Sequence, residues 1–319
     1  MHVSQSDRTV SVIIAAKNAG RTIARAVSSA LAQPEAAQVI LIDDGSSDDT
    51  VARAQEAAAG SDRLLIRSMA VNVGPSAARN KALESATSSW VCPLDGDDYF
   101  EVGRLGKLLD QSDGCDFVAD DISMIYADRP EEPMRRLIGE REPLPMTLSF
   151  ARFAEGNISQ PGMPRRELGF LKPIMRRSFI DAMGLRYDET VRLGEDYVFY
   201  ATALANGAVF KVLEPCGYVA VERSDSLSAT HTTRDLQALL KACTSLASAE
   251  RLSEEDRRAA RRHLAQVRAK TRLREVLDAR REGGIVRGLK AIVERAADAP
   301  YIVSQILADK RAAAAKATA

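Results

Sequence analysis

The chain has 319 residues, 45% hydrophobic and 28% charged, which suits a globular core and a solvated surface over one large domain or two smaller ones. No apolar run approaches the ~18–20 residues of a membrane span, and the polar stretch Met1 to Arg8 lacks the apolar middle of a signal peptide, so a cytoplasmic protein is expected. The net charge is zero but uneven: residues 234–319 hold 19 Lys and Arg against 11 Asp and Glu, which leaves the first 233 residues at −8, a balance that disfavours nucleic acid as a partner.

Val10 to Ala16 is short, apolar and rich in β-branched residues, which predicts a buried strand. Arg21 to Leu31 repeats apolar residues at helical spacing. Gln38 to Ile42 predicts a second buried strand that ends at once in Asp43, Asp44 and a polar run to Thr50. Ser47 or Asp48 is placed to cap a helix running through Ala59. Leu64 to Ile66 opens a third strand, Pro75 to Ser85 is a further helix, and Ser89 to Leu94 is a fourth strand. This β-α-β-α-β-α-β order predicts an α/β fold, a mostly parallel sheet with helices on both faces. Ligands of such sheets bind beyond the carboxyl ends of the strands. Asn18, the Asp43–Asp44 pair and the cluster Asp95, Asp97 and Asp98 all fall at those ends.

Further along, Arg104 to Leu109 reads as a helix and Asp116 to Tyr126 as one strand. Residues 129–165 hold six of the twelve prolines and read as a long irregular connection. From Arg234 the chain turns helical. Ser253-Glu254-Glu255-Asp256 is a capping sequence for a charged helix to about Arg281, which Gly283-Gly284 stops. Two shorter helices are predicted beyond it, over Ile285 to Arg295 and from Pro300, before an Ala/Lys-rich tail. His263 sits among arginines on the charged helix and is expected to be solvated. Four scattered cysteines with no Cys-x-x-Cys spacing predict reduced structural thiols and no zinc site.

The chemistry concentrates in Leu94-Asp95-Gly96-Asp97-Asp98-Tyr99. Crowded carboxylates repel one another and resist desolvation, and a cation offsets that penalty. Carboxylate oxygens are the hard ligands that Mg²⁺ and Mn²⁺ prefer, usually shared with substrate phosphates. The alternative is an acidic turn at a strand end, since Asp and Gly are ordinary turn residues. Gly194-Glu195-Asp196-Tyr197 likewise reads either as an acidic helix start or as a site for proton transfer.

Taken in order, five segments resemble family 2 inverting glycosyltransferases of the GT-A fold, over roughly the first 230 residues. They are Val12 to Asn18, Ile42 to Asp48, Asn72 to Asn80 (with Gly74-Pro75-Ser76-Ala77-Ala78-Arg79-Asn80), Leu94 to Asp98, and Gly194 to Tyr197. The resemblance implies a GT-A domain over 1–232, with a nucleotide-binding half to about residue 100 and an acceptor half beyond it, followed by a basic helical region over 233–319. It implies nucleotide-sugar contacts at Ala15, Lys17, Asn18, Asp44, Arg79, Asp95, Arg223 and Ser226. Asp95, Asp97 and His231 are implied as ligands of Mn²⁺ or Mg²⁺, Asp196 as the general base, and Glu195 as its neighbour that orients the acceptor or pairs with a cation. Lys17 stands where the family often has an aromatic residue, and Ala15 where it often has a polar residue or proline.

The implied reaction moves a hexose, glucose before others, from a UDP-sugar to a hydroxyl of a saccharide acceptor, expected to be lipid-linked, in polysaccharide biosynthesis. The basic C-terminal helices are then expected to lie on the inner face of an anionic membrane, with a solvated face or a homodimer contact as alternatives. A non-catalytic nucleotide-sugar or carbohydrate-binding subunit is the competing class. A sugar nucleotidyltransferase would need a glycine-rich phosphate loop after the first strand, which Ala15-Ala16-Lys17-Asn18-Ala19-Gly20 does not supply.

Overall fold

The structure, a computed structural model, describes residues 8–139, 142–159, 167–222 and 232–293. Its first hundred residues follow the predicted alternation: β1 (Val10–Ala16), α1 (Ile23–Leu31), β2 (Ala36–Asp43), α2 (Thr50–Ala58), β3 (Leu64–Ser68), α3 (Pro75–Ser85) and β4 (Trp90–Pro93). β1 lies between β2 and β4 and pairs parallel with both, Val12 opposite Val39 on one side and Cys92 on the other. Its residues are almost all buried, which is why the run lacks polar alternation. α1 turns Ile23, Ala26, Val27 and Ala30 inward, the helical spacing read from the sequence.

The next elements are β5 (Tyr99–Phe100), α4 (Arg104–Asp110), β6 (Phe117–Asp120), β7 (Ser123–Tyr126), β8 (Arg135–Arg136), β9 (Met146–Leu148) and α5 (Phe150–Gly156). They are followed by β10 (Ile174–Arg176), α6 (Arg177–Ala182), α7 (Glu195–Ala205), β11 (Phe210–Leu213) and β12 (Tyr218–Glu222). The main sheet has the order β3-β2-β1-β4-β10-β6-β11-β9, and a second sheet has the order β5-β12-β7-β8. β10 runs antiparallel to both β4 and β6, so it reverses the parallel run where the two halves of the sheet meet.

Two expectations change here. The single strand predicted over Asp116 to Tyr126 is two strands in different sheets. The break falls at Asp120 and Asp121, both fully buried. Asp120 accepts from the backbone amides of Cys216, Gly217 and Tyr218, and Asp121 accepts from those of Ile138 and Gly139. Two inward carboxylates in a row demand donors from two directions, and the chain changes sheet between them. The connection read as irregular over 129–165 in fact carries β8, β9 and α5.

The C-terminal region forms α8 (Thr233–Ala247), opened by a capping box between Thr232 and Asp235, and α9 (Glu254–Val293). Gly283 and Gly284 leave helical geometry inside α9, at the predicted stop. α9 lies along α8 and α5, and its buried stripe Ala259, Ala260, His263, Leu264, Val267 and Thr271 recurs every three to four residues between exposed arginines. His263 is therefore 5% exposed and not solvated. Its ring stacks on Tyr197 at 4.1 Å between centroids, and its Nδ1 lies 3.8 Å from Cys243 Sγ on α8. Among the described residues, no helix is long and apolar enough to cross a membrane.

Candidate active site

The carboxyl ends of β1 and β2, with the loop that precedes α3, form one laced rim. Asn18, in the left-handed region at φ 50°, accepts from Ser47 N at 2.9 Å, while its own N–H donates to Ser46 Oγ at 2.8 Å. Gly20 N donates to Asp48 and Ala19 N to Thr50 Oγ1. Asp48, which also accepts from Thr50 N, thus ties the start of α2 to the loop after β1. Asp44 is 5% exposed and accepts from Val73 N at 2.7 Å and Gly74 N at 2.9 Å, which brings the third loop to the same rim. Lys17 is exposed and Ala15 half-buried beside it.

Beneath the rim lies an ion cluster drawn from four elements. Arg79, inside α3, is 7% exposed. Its Nη2 donates to Asp95 Oδ1 at 2.9 Å and its Nη1 to Glu195 Oε1 at 2.6 Å. A solvated helix residue is thereby ruled out for Arg79. Lys172, just before β10, is 3% exposed. Its Nζ donates to Asp196 Oδ2 at 2.7 Å and stands 3.0 Å from Asp95 Oδ2. Gly194, at φ 72°, turns the chain into α7, with Leu239 Cδ1 of α8 only 3.2 Å from where a Cβ would stand. Glu195 and Asp196 then occupy the first turn of α7, where the helix dipole favours their charge.

Electrostatics follow from this packing. Burial alone would raise the Asp95 carboxyl, but Lys172 and Arg79 outweigh it and lower the group to about 2. Burial alone would lower Lys172, but Asp196 and Asp95 outweigh it and keep the ammonium above the ordinary lysine range. Glu195 is raised by burial, an effect that Arg79 opposes and Asp196 reinforces. Asp98 is pushed up to about 8 by burial and by Asp95 and Asp97. It accepts from Tyr218 Oη at 2.7 Å and Val221 N at 2.9 Å, so it anchors β12 to the acidic turn. One oxygen stands apart. Asp196 Oδ1 is buried without a hydrogen-bond partner among the described residues, with Arg79 Nη1 3.7 Å away.

Asp97 sits half-buried at the rim beside Asp95. The two are hard oxygen donors, a set that fits Mg²⁺ or Mn²⁺ when phosphate oxygens complete the shell. Both Asp95 oxygens already face cations, Arg79 on one and Lys172 on the other. No group of three or more His, Cys, Asp or Glu side chains gathers for a metal among the described residues. Arg223, Ser226 and His231 lie outside the described residues.

Sequence reasoning missed Lys172. The signal for it is a single charge inside Gly169-Phe170-Leu171-Lys172-Pro173-Ile174-Met175, an otherwise apolar entry to a strand. A lysine there must find carboxylates or leave the core.

Comparison with known proteins agrees with this architecture. Residues 11–179 match the model of glycosyl transferase family 2. Succinoglycan biosynthesis protein ExoU of Rhizobium meliloti (strain 1021) is 48% identical over 94% of this chain and 87% of its own length. Succinoglycan biosynthesis protein ExoO of the same organism is 33% identical over 73% of this chain and 66% of its own. The crystal structure of S. aureus TarS 1-349 in complex with UDP-GlcNAc shares the fold with a TM-score of 0.63 at 18% identity, covering 89% of this chain and 79% of that one. From the family match and the relatedness to ExoU, the chain is a glycosyltransferase and belongs to glycosyl transferase family 2.

Proposed function

We propose that the enzyme moves a hexose, glucose before others, from a UDP-sugar to a hydroxyl of a saccharide acceptor during exopolysaccharide assembly, with Asp196 as the general base. The observation that carries this reading is the buried Asp196 Oδ1, which has no hydrogen bond among the described residues, beside a second oxygen held by Lys172. Such an atom is held ready for a donor hydroxyl, since an unmatched buried acceptor is otherwise costly. The acceptor O–H gives its proton to Oδ1 as its oxygen attacks the anomeric carbon. The bond to the UDP oxygen breaks on the opposite face, and UDP leaves with the electron pair, so the configuration inverts. Glu195, held by Arg79, sits beside the base to orient the acceptor.

Asp44, Asn18, Lys17, Ala15 and Asp95 form the nucleotide side of the site, with Arg79 behind it, and Arg223 and Ser226 are assigned to the diphosphate. Asp97, with Asp95 and His231, is assigned to Mn²⁺ or Mg²⁺, which when bound would offset charge on the departing diphosphate. The relatives' names, both from succinoglycan biosynthesis, support the pathway class, and the TarS complex with UDP-GlcNAc supports a UDP-sugar donor. A lipid-linked acceptor at the inner membrane face agrees with the basic stretch 234–319.

The test combines calorimetry with a nucleotide-release assay over UDP-, GDP- and TDP-hexoses, in Mn²⁺, Mg²⁺ or chelator. Metal-dependent binding and UDP release with UDP-glucose are expected. Tighter binding of a GDP- or TDP-sugar, or release unaffected by chelation, would overturn the donor or the metal assignment respectively.

A further inference from the structure

We propose that Lys172 is the positioning residue of the proton-transfer step: it clamps one oxygen of Asp196 so that the other faces the acceptor. This rests on the reading of Asp196 as the base. Lys172 is fixed from two ends. Its carbonyl accepts from Arg104 Nη2 at 2.6 Å, and Arg104 is itself fully buried and paired with Asp120. Pro173 follows, so the next φ is set by a ring, and β10 begins at Ile174 between β4 and β6. The backbone therefore cannot drift, and the ammonium is delivered to one place.

That place lies between two carboxylates from distant parts of the chain. Asp95 lies two residues beyond β4 and Asp196 is the second residue of α7, and Lys172 Nζ is 3.0 Å from an oxygen of the first and 2.7 Å from an oxygen of the second. Without the ammonium the two anions repel, and Asp196 loses its hydrogen-bonded anchor. With it, the Asp196 carboxylate plane is set, and Oδ1 is left without a hydrogen bond among the described residues, with only the Arg79 guanidinium near it at 3.7 Å. Arg79 cannot substitute, because its hydrogen bonds go to Asp95 and Glu195 and it stays 3.7 Å from Asp196. Lys172 does not itself take the proton: an ammonium held between two carboxylates has no lone pair to offer.

The experiment compares Lys172→Met, Lys172→Arg, Asp196→Asn and the Met/Asn double variant for kcat, donor affinity by calorimetry and melting temperature. Lys172→Met is expected to lower kcat by about 100-fold, the scale of a general-base contribution, while donor affinity, felt through Asp95, falls by much less than kcat. Lys172→Arg keeps the charge and the fold but replaces a point donor by a planar fork, so its kcat is expected between wild type and Lys172→Met. In the Asp196→Asn background, Lys172→Met is expected to slow residual turnover by no more than about twofold, because it has no base left to position. A Lys172→Met enzyme with wild-type kcat, or one that loses only donor affinity, would overturn the proposal. If Lys172→Met does not fold, Lys172→Arg decides, and unchanged kcat there overturns it. An active Asp196→Asn enzyme sinks the base reading itself, whereas an inactive Asp196→Asn beside an active Lys172→Met sinks Lys172 alone.

Discussion

Two buried ion clusters stand side by side in this enzyme, and they differ in whether their hydrogen bonding is complete. In the Arg104–Asp120 cluster, both side chains are fully buried. Asp120 Oδ1 takes Nε and Nη2 of Arg104, and Oδ2 takes the amides of Cys216, Gly217 and Tyr218. The guanidinium also lies against the rings of Phe100 and Tyr218. In the Arg79–Lys172 cluster, two cations face the three carboxylates Asp95, Glu195 and Asp196, and one oxygen of Asp196 has no hydrogen bond among the described residues. Lys172 belongs to both, its carbonyl to the first and its ammonium to the second. Burial of charge is thus not by itself the mark of a reacting site. A satisfied network is framework, and a network with an unfilled acceptor is where a substrate proton can go.

The largest expected effect is on the framework. Asp120→Ala strands the buried Arg104 and frees three backbone amides that end the connection into β12. It should cost about 3–5 kcal/mol of stability, the scale for breaking a buried pair, read by urea unfolding. A loss below about 1 kcal/mol, as for a surface pair, would remove the distinction between the two clusters.

The same distinction explains what was legible in the sequence. The first half of the sheet announces itself because each strand is a continuous apolar run and each ligand-bearing loop follows directly, so Asn18, Asp44 and the Asp95–Asp98 turn are found by position alone. Arg79, Glu195 and Asp196 are flagged as candidates by local motifs, but their mutual contacts span up to 117 positions of chain and no local pattern encodes them. Lys172 carries no motif at all. Asp120 and Asp121 look like an interruption in a strand, because their donors come from residues 136–139 and 216–218, far along the chain. His263 was hidden by the arginines around it: the buried stripe of α9 is built mainly of alanines, a leucine and a valine, whose apolar signal is weak beside those charges.

His263 supports the open cluster from behind, since it stacks on Tyr197, the residue after Asp196. Burial, with Lys270 on the same helix, lowers its imidazole from 6.5 to about 4. Cys243 of α8 and Tyr197 of α7, the ionisable groups in contact with its ring, are both pushed up and stay neutral. The folded state therefore resists a proton that the unfolded chain accepts. The contribution of neutral His263 is complete above pH 6.5 and is lost as the pH falls from about 6.5 to about 4, on the order of 3 kcal/mol in all. His263→Phe should keep the stacking and flatten that part of the stability profile between pH 4 and 6.5. Identical acid profiles for the two proteins would show that α7 is not buttressed through a neutral imidazole.

The smallest effect expected is at the rim, where the comparison is sharpest. Asp95 is held by Arg79 and Lys172 and lowered to about 2, so it is already neutralised by the protein. On the reading proposed above, Asp97, two positions along, recruits the divalent ion together with the diphosphate. Asp97→Ala should therefore lower the melting temperature less than Asp95→Ala does and abolish the Mn²⁺-linked gain in UDP affinity, a loss of about tenfold or more, about 1.4 kcal/mol. Asp95→Ala should do the opposite in one respect: it removes a partner from two buried cations and so lowers stability as well as binding. If Asp97→Ala kept full Mn²⁺-linked affinity while Asp95→Ala lost it without loss of stability, Asp95 would be the metal ligand and its two cations would have to yield when the donor arrives.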